Sequence, residues 1–487
     1  MVSNLNPNDE EAAKETATWK LLYNYINNFA KDEDYTAYAS IVQQATGASS
    51  KMIEQALLFR ASQHFERNLN DKKTLVRCDG DSQEDDAIAA STTSTYPCQY
   101  TEEYCKSVLV TGGVGFVGSH IVETLLREGT KVVIYDIFNS ETTISDEKRE
   151  IASILRQAAD DCADIGAELD IIHGDIRDKE HLMRIISSHG ITACVHVGGM
   201  VDDRRSVFHP DEYIDVNIRG TATLLDALGK SGVKMVVQAS TRSVFGQREN
   251  NETHLTEKAD RRPVNPYGAS KVGADAMGHC YSNLYQMNVT LIRIFANYGP
   301  RGRPDMIPRI LCENIADGKP IRKFGDGSAT RTWIYISDIV SAFLLALRNP
   351  CNGYAEFNTG APNSTTLNEM ISCAERVAGR KATIEQCEVP PGDAHTVGHP
   401  SYELIQQTLG WTPKVTVEEG MRLTYLDYFR RKKERAAHKA MAEQTIEHTK
   451  VHGEQVKEIN GAVVVQEEKK TSLQVVMADT GRLSARE

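Results

Sequence analysis

Three residues near the middle of the chain could move a proton. Tyr267 and Lys271 stand at i and i+4 in Pro266-Tyr267-Gly268-Ala269-Ser270-Lys271, so a helix there presents both on one face. Thr241 lies 26 residues earlier, in Ser240-Thr241-Arg242-Ser243-Val244-Phe245-Gly246, and adds a hydroxyl. A free tyrosine, with a pKa of about 10, is a poor base near neutrality, and lowering it by roughly 3 units takes about 4 kcal/mol. An adjacent ammonium supplies part of that, and a positively charged ring on a bound cofactor would supply the rest. Thr241 can hydrogen-bond the reacting oxygen and share its proton, and Lys271 can also hold a ribose.

A second constellation names the cofactor. Ser107–Thr111 (SVLVT) runs into Gly112-Gly113-Val114-Gly115-Phe116-Val117-Gly118. A strand feeding a glycine-rich turn that opens a helix suits a pyrophosphate. The turn must be tight, the backbone must approach the phosphates, and the helix must pack close to the strand. The helix N-terminus adds unpaired N–H groups and partial positive charge. A second strand ends in Asp136, 23 residues after Gly113. A carboxylate there accepts both adenosine-ribose hydroxyls and repels a 2′-phosphate, which favours NAD over NADP. Asp175-Ile176, at the end of a third strand, is a place where a carboxylate could meet the adenine amino group.

These residues need a scaffold, and the pattern supplies one. SVLVT, KVVIYD, LDIIHGD, TACVHV, KMVVQAS and VTLIRIF read as buried parallel strands separated by helix-length segments. That rhythm predicts an α/β, doubly wound parallel sheet over 106–296. From 297 to 429 the rhythm loosens, as for a smaller lobe over the sheet's carboxyl edge. Residues 1–78 read as a helical extension, with Trp19, Leu22, Ile26 and Phe29 forming one stripe, a second helix from Tyr35 to about Gln44, and a third after Ser49-Ser50. Residues 79–105 read as an acidic flexible linker: 79–104 hold seven acids and no Lys or Arg. Residues 430–487 form a charged tail that opens with Arg430-Arg431-Lys432-Lys433, extends as a helix to roughly Val451, and continues through a strand-like stretch at Val463–Val465.

Composition excludes several classes. The chain has 487 residues and a net charge of −12, which argues against nucleic-acid wrapping and against binding to anionic membranes. No run of 18 apolar residues occurs, the N-terminal segment is too polar for a secretory signal, and the last three residues match no common address. The ten cysteines are scattered, with no C-x-x-C pair, so reduced thiols in a cytoplasmic protein are expected and no metal is called for.

The sequence resembles the extended short-chain dehydrogenase/reductase family, within it the nucleotide-sugar epimerases and dehydratases, over about 106–429. The stretches that carry the resemblance are TGGVGFVGSH, the acidic strand end at Asp136, Asp175-Ile176, VNIRGT with Asn217, STRSVFG, PYGASK, RIFANYGPRGRPDM and FGDGSATRTWIYISDI. Gly299–Met306 is most similar to the UDP-glucuronate 4-epimerase branch. The resemblance implies a Rossmann core that holds NAD, a C-terminal lobe that grips UDP, and a homodimer built from two helices per subunit around 213–229 and 267–285. It implies Arg331 on the substrate diphosphate and Arg204 near the sugar. Arg242, Ser243, Asn297, Arg303 and Asp393 complete the expected substrate set.

Three departures from the family pattern bear on the reaction. Dehydratases carry Asp-Glu where this chain has Arg242-Ser243, and decarboxylases carry Glu at Ser243; both need that carboxylate for proton chemistry. Ala296 replaces the Thr or Asn of related 4-epimerases, and Gly398-His399 replaces an Ala-Asp pair. The resemblance therefore points to epimerisation at C4 of a UDP-sugar, with UDP-glucuronate and UDP-galacturonate the leading pair. C4 would pass a hydride to NAD, Tyr267 would take the O4 proton, and the flat 4-keto sugar would turn over before the hydride returned. UDP-glucose/galactose epimerisation, another nucleotide-sugar oxidoreductase, and a non-catalytic NAD-binding scaffold are the alternatives.

Overall fold

Short Val/Ile-rich runs become strands here because each is flanked by polar turns and, apart from the edge run Glu168–His173, is largely buried on both faces. The computed structural model describes residues 105–138, 144–247, 254–388, 398–451, 455–459, 462–466 and 474–476. The expected N-terminal helices, the acidic segment up to 104 and Asp393 lie outside the described residues. The chain separates into two units, Met1–Thr93 and Ser94–Glu487, and all of the described residues belong to the second.

The first half alternates strand and helix: β1 (Ser107–Thr111), α1 (Phe116–Arg127), β2 (Lys131–Asp136), α2 (Ile144–Asp161), β3 (Glu168–His173), α3 (Lys179–Ser188) and β4 (Ala193–His196). Then come α4 (Asp203–Phe208), α5 (Pro210–Tyr213), a π-helical stretch (Ile214–Gly220) and α6 (Thr221–Lys230). After these come β5 (Met235–Thr241), a 3₁₀ turn (Arg242–Val244), β6 (His254–Leu255), α7 (Pro266–Tyr285) and β7 (Asn288–Ile294). All six strands expected from the sequence are present.

From 296 the elements shorten: β8 (Ala296–Tyr298), α8 (Ile307–Asp317), β9 (Pro320–Phe324), β10 (Thr330–Arg331), β11 (Trp333–Tyr335), α9 (Ile336–Arg348), β12 (Tyr354–Asn358), β13 (Thr365–Thr366), α10 (Leu367–Ala378), β14 (Thr383–Cys387), β15 (His399–Pro400) and α11 (Glu403–Leu409). The last helix, α12, is continuous over Val417–Val451, and a three-stranded sheet, β16 (Gln455–Ile459), β17 (Ala462–Gln466) and β18 (Gln474–Val476), follows it.

Seven strands form one parallel sheet in the order β12-β7-β5-β4-β1-β2-β3. The order reverses between β1 and β4, and the crevice at that switch is where a parallel α/β sheet binds its ligand. Both faces are covered. Val108, Val110, Val132 and Ile134 pack into one core. Leu109, Val133, Tyr135 and Val236 pack into the other, as the two-residue period of a strand requires.

Two expected boundaries are redrawn by packing. The sheet recruits β12 from the segment expected to form the substrate lobe, because Tyr354–Asn358 pairs with Val289–Arg293 along the open edge of β7. The helix expected from 430 starts at Val417 instead. Its basic run is spent internally: Arg431 pairs with Asp427 at 2.8 Å, Lys432 with Asp317 at 2.5 Å, and Arg435 with Glu150 of α2 at 2.5 Å.

Candidate active site

The turn after β1 is built to bring backbone close to a ligand. Gly112 has φ +69, and a Cβ there would lie 2.7 Å from Gly198 Cα on the loop after β4. A Cβ at Gly118, in the first turn of α1, would lie 2.2 Å from Gly112 O, and one at Gly113 would meet the Ile134 side chain at 2.8 Å. Helix α1 starts at Phe116 with Gly115 as N-cap and no side chain capping it, so its leading N–H groups are left to an anion. Phe116 and Val117 pack half-buried in that first turn. These features fit a dinucleotide pyrophosphate.

Asp136 ends β2 and is 5 % exposed. Its Oδ2 accepts the Val114 N–H at 3.3 Å, and its Oδ1 meets Lys148 Nζ at 2.7 Å. Lys148, on α2, was not among the expected site residues. No fixed spacing links it to the turn, and only the approach of α2 to the end of β2 brings it there. Asp175 is held by Arg177, whose Nε lies 2.9 and 3.0 Å from its two oxygens. The guanidinium keeps the Asp175 carboxyl below the usual carboxylate range. Ile176 is buried beneath Gly220. His196, at the end of β4, is buried between Thr111 Oγ1 at 2.7 Å and Thr221 Oγ1 at 2.9 Å. Burial, followed by the charge of Lys271, pushes His196 down to about 3, so it is neutral.

Three consecutive residues of β5 are hydrogen-bonded to α7. Gln238 Nε2 donates to Ala274 O at 3.0 Å, Lys271 Nζ donates to Ala239 O at 2.8 Å, and Ser240 Oγ donates to Asp275 Oδ2 at 2.9 Å. Thr241, the next residue, is close enough to Tyr267 to favour its phenolate. Helix α7 begins where it does because Asn265 caps it, accepting the Gly268 N–H at 2.8 Å, with Pro266 at the first position. Gly268 lets the helix approach the 3₁₀ turn: a Cβ there would lie 2.5 Å from Ser243 O.

Tyr267 is half-buried, with its ring edge-on to Tyr213 at 6.2 Å. Burial pushes its hydroxyl up to about 12; Thr241 and the cations Arg303 and Arg242 pull it back, and Asp203 opposes them. The positive charge of an oxidised nicotinamide would act in the same sense as the two arginines. Arg242 and Ser243 do not alternate sides as in a strand, because 242–244 is a 3₁₀ turn. Ser243 is buried and donates to Asp203 Oδ1 at 3.2 Å. Arg242 is half-buried, within electrostatic reach of Asp203 and Tyr267. The structure thus brings Thr241, Arg242, Ser243, Tyr267, Lys271 and Arg303 together and adds Asp203, which had no motif to announce it.

The remaining expected contacts are spread over the carboxyl edge. Arg303 donates to Asp305 at 3.0 Å. Asn297 lies on β8, in register with Ile334 of β11. Arg331 ends β10 beside Thr365, and its Nη1 donates to Thr330 O at 2.8 Å. Arg204 is exposed on α4, its backbone N–H tied to Asp202 at 2.9 Å. His399, one of the departures from the family pattern, sits next to the Arg331 strand, with Nδ1 3.2 Å from Thr332 Oγ1 and Nε2 2.5 Å from Ser364 Oγ.

A glycine-lined turn at the switch of a parallel sheet, facing a tyrosine–lysine helix across β5, defines an NAD-dependent enzyme of the short-chain dehydrogenase/reductase type. Within that class the chain belongs to the GDP-mannose 4,6 dehydratase family, which matches residues 109–424. It is similar to the UDP-glucuronate 4-epimerase of Thermodesulfobacterium geofontis, with 32% identity over 317 residues, 65% of this chain and 94% of that one. It is also similar to UDP-glucose 4-epimerase 3 of Oryza sativa, with 31% identity over 336 residues, 64% of this chain and 87% of that one. Among solved structures, the UDP-glucuronic acid 4-epimerase of Bacillus cereus in complex with UDP-glucuronic acid and NAD superimposes with a TM-score of 0.59 and 27% identity, covering 67% of this chain and 99% of that one. The UDP-glucose 4-epimerase of Thermotoga maritima with UDP-glucose gives a TM-score of 0.59 and 28% identity, with the same coverage. The chain is accordingly an NAD-dependent enzyme of the nucleotide-sugar 4-epimerase group.

Proposed function

We propose that the protein interconverts the C4 epimers of a UDP-sugar, with UDP-glucuronate and UDP-galacturonate as the leading pair. The observation that carries the reading is the placement of Tyr267 and Lys271 on one face of α7, which is hydrogen-bonded along the end of β5 that carries Thr241, with Thr241 and the Arg242 guanidinium both favouring the Tyr267 phenolate. NAD, when bound, supplies reversible two-electron oxidation at C4 and is regenerated in each cycle. Tyr267 removes the O4 proton during oxidation and returns it after the planar 4-keto sugar has presented its other face. Thr241 steers that proton, and Lys271 holds the nicotinamide ribose. Asp136 reads the adenosine ribose, with Asp175 and Ile176 beside the adenine. Arg331 takes the diphosphate; Arg204, Asn297, Arg303 and Asp393 complete the UDP-sugar contacts.

Arg242 supports a uronate, because a guanidinium facing a carboxylate forms two charge-assisted bonds. The opposing observation is Asp203, 3.2 Å from Ser243 Oγ and close to Arg242. A carboxylate at that edge supports the second reading, a neutral hexose such as UDP-glucose. Mass spectrometry cannot separate C4 epimers by mass alone, so products from a panel of UDP-sugars should be resolved by chromatography before detection. Conversion of UDP-glucuronate well above UDP-glucose supports the first reading, and the reverse order supports the second. A homodimer through α6 and α7 is part of the proposal, supported by Leu284 and Ile214, which are exposed on or beside these helices. A cytoplasmic setting is also proposed; no described helix is long and apolar enough to cross a membrane, and no described cysteine is in a disulfide.

A further inference from the structure

The hairpin that carries Arg331 is short. Strand β10 pairs with β13 over Thr330↔Thr366 and Arg331↔Thr365. A ladder so short has little stability of its own, so its ends must be tied. One end is tied by backbone: the Leu367 N–H donates to Ala329 O at 3.1 Å, and the Asn368 N–H to Gly327 O at 3.1 Å. At the other end the same antiparallel register sets Thr332 opposite Ser364. There side chains take over. Thr332 Oγ1 and Ser364 Oγ lie 3.5 Å apart, and the His399 ring closes a triangle with them, Nδ1 3.2 Å from Thr332 Oγ1 and Nε2 2.5 Å from Ser364 Oγ. Thr332 follows Arg331 in the chain, and Ser364 precedes Thr365, the residue paired with Arg331. Each ring nitrogen therefore serves one strand of the hairpin.

The imidazole comes from a different part of the fold. His399 and Pro400 form β15, parallel to β6, with His399 in register with His254 and Pro400 with Leu255. Leu255 O accepts the Ser401 N–H at 2.9 Å and Asn358 Nδ2, at the end of β12, also at 2.9 Å. Pro400 is buried, and a Cβ at Gly360, just past β12, would lie 2.9 Å from Pro400 Cγ. Since β12 is the outer strand of the large sheet, His399 is mounted on that sheet's edge and reaches across to the hairpin. Both ring nitrogens are engaged by hydroxyls, and a hydroxyl can donate or accept, so the staple forms without a charge on the ring. Arg331 Nη1 donates to Thr330 O at 2.8 Å, so the guanidinium is held along its own hairpin and its aim follows the hairpin's.

We propose that His399 is a positioning residue for Arg331: by stapling Thr332 to Ser364 it fixes the end of the β10–β13 hairpin from which the guanidinium extends, and so raises affinity for a nucleoside diphosphate. The assignment rests on the reading of Arg331 as the diphosphate contact. A guanidinium whose backbone is already fixed loses less freedom when the ligand binds, and that saving appears as affinity. His399 stands where this chain departs from the family pattern, so the staple is a feature of this chain's own sequence.

The test is calorimetric binding of UDP to the NAD-loaded full chain, in a cycle of His399→Ala, Arg331→Ala and the double variant. Arg331→Ala should weaken UDP by about tenfold or more, through loss of charge-assisted hydrogen bonds. His399→Ala should weaken it by roughly three- to tenfold, the ordering cost of one long side chain. The double variant should bind no more weakly than Arg331→Ala, because no guanidinium remains to be positioned. In steady-state kinetics His399→Ala should raise the Michaelis constant of the UDP-sugar and leave kcat and NAD affinity nearly unchanged. His399→Gln, whose amide can occupy the place of Nε2 and bond Ser364, should recover part of the lost affinity. Ser364→Ala, taken through the same cycle with Arg331→Ala, serves where His399→Ala does not fold. An unmoved UDP affinity in the folded variant, or an equal loss with and without Arg331, overturns the assignment. UDP affinity unmoved by Arg331→Ala removes the diphosphate reading and this assignment with it; UDP weakened by Arg331→Ala but not by His399→Ala removes His399 alone.

Discussion

Two side chains of opposite charge stand where we propose that the sugar binds. Arg242 and Asp203 both act on Tyr267, one favouring its phenolate and the other opposing it. A uronate must compete with Asp203 for Arg242, whereas a neutral hexose need not. Arg242→Ser should raise the Michaelis constant for UDP-glucuronate far more than for UDP-glucose, since it removes the charge-assisted partner proposed for the uronate carboxylate. Asp203→Asn should lower the constant for UDP-glucuronate and leave that for UDP-glucose nearly unchanged. Equal effects on both sugars in steady-state kinetics would take the carboxylate role from Arg242. At the other end of the cofactor, Asp136→Ala should weaken NAD and relax discrimination against NADP, and leave Lys148, 2.7 Å from Asp136 Oδ1, free to meet a 2′-phosphate. Unchanged affinities for both dinucleotides by calorimetry would assign ribose recognition elsewhere.

At the scale of elements, the readable parts were those whose logic is local. The glycine turn, the acid at the end of β2 and the i, i+4 spacing of Tyr267 and Lys271 are fixed by chain neighbours, so pattern alone located them. Lys148 and Asp203 were missed because each acquires its meaning from a distant segment: α2 reaching β2, and α4 reaching the 3₁₀ turn. The same reason displaced the start of α12, since the basic run at 430 marks the middle of a helix whose partners, Asp317 and Glu150, are far away in sequence. The turn itself allows a direct test. Gly118→Ala forces a Cβ to within 2.2 Å of Gly112 O, a backbone atom that cannot swing aside. It should cost about 2 kcal/mol or more by overpacking and abolish NAD binding. Wild-type NAD affinity in a folded variant would show that α1 need not approach the turn so closely.

For the whole molecule, the family match ends at 424 and starts at 109, which leaves the flanks without an assigned task. The acidic composition of 79–104 leads us to propose that residues 1–78 are an appendage to the catalytic unit. Removing 1–78 should leave a soluble protein that binds NAD and turns over substrate at near the full-length rate; an insoluble or cofactor-free truncation would make that segment part of the catalytic fold. The central claim is that Tyr267 drives a redox-neutral epimerisation at C4. Its most direct test is to incubate the full chain with UDP-glucuronate and UDP-glucose, resolve the C4 epimers by chromatography, and follow nicotinamide absorbance in the same samples, with Tyr267→Phe alongside. The account predicts a C4 epimer from at least one sugar, no net accumulation of reduced nicotinamide, and almost no turnover by a Tyr267→Phe protein that still binds NAD. Stoichiometric reduced nicotinamide without an epimer, or near-normal turnover in the phenylalanine variant, would contradict it.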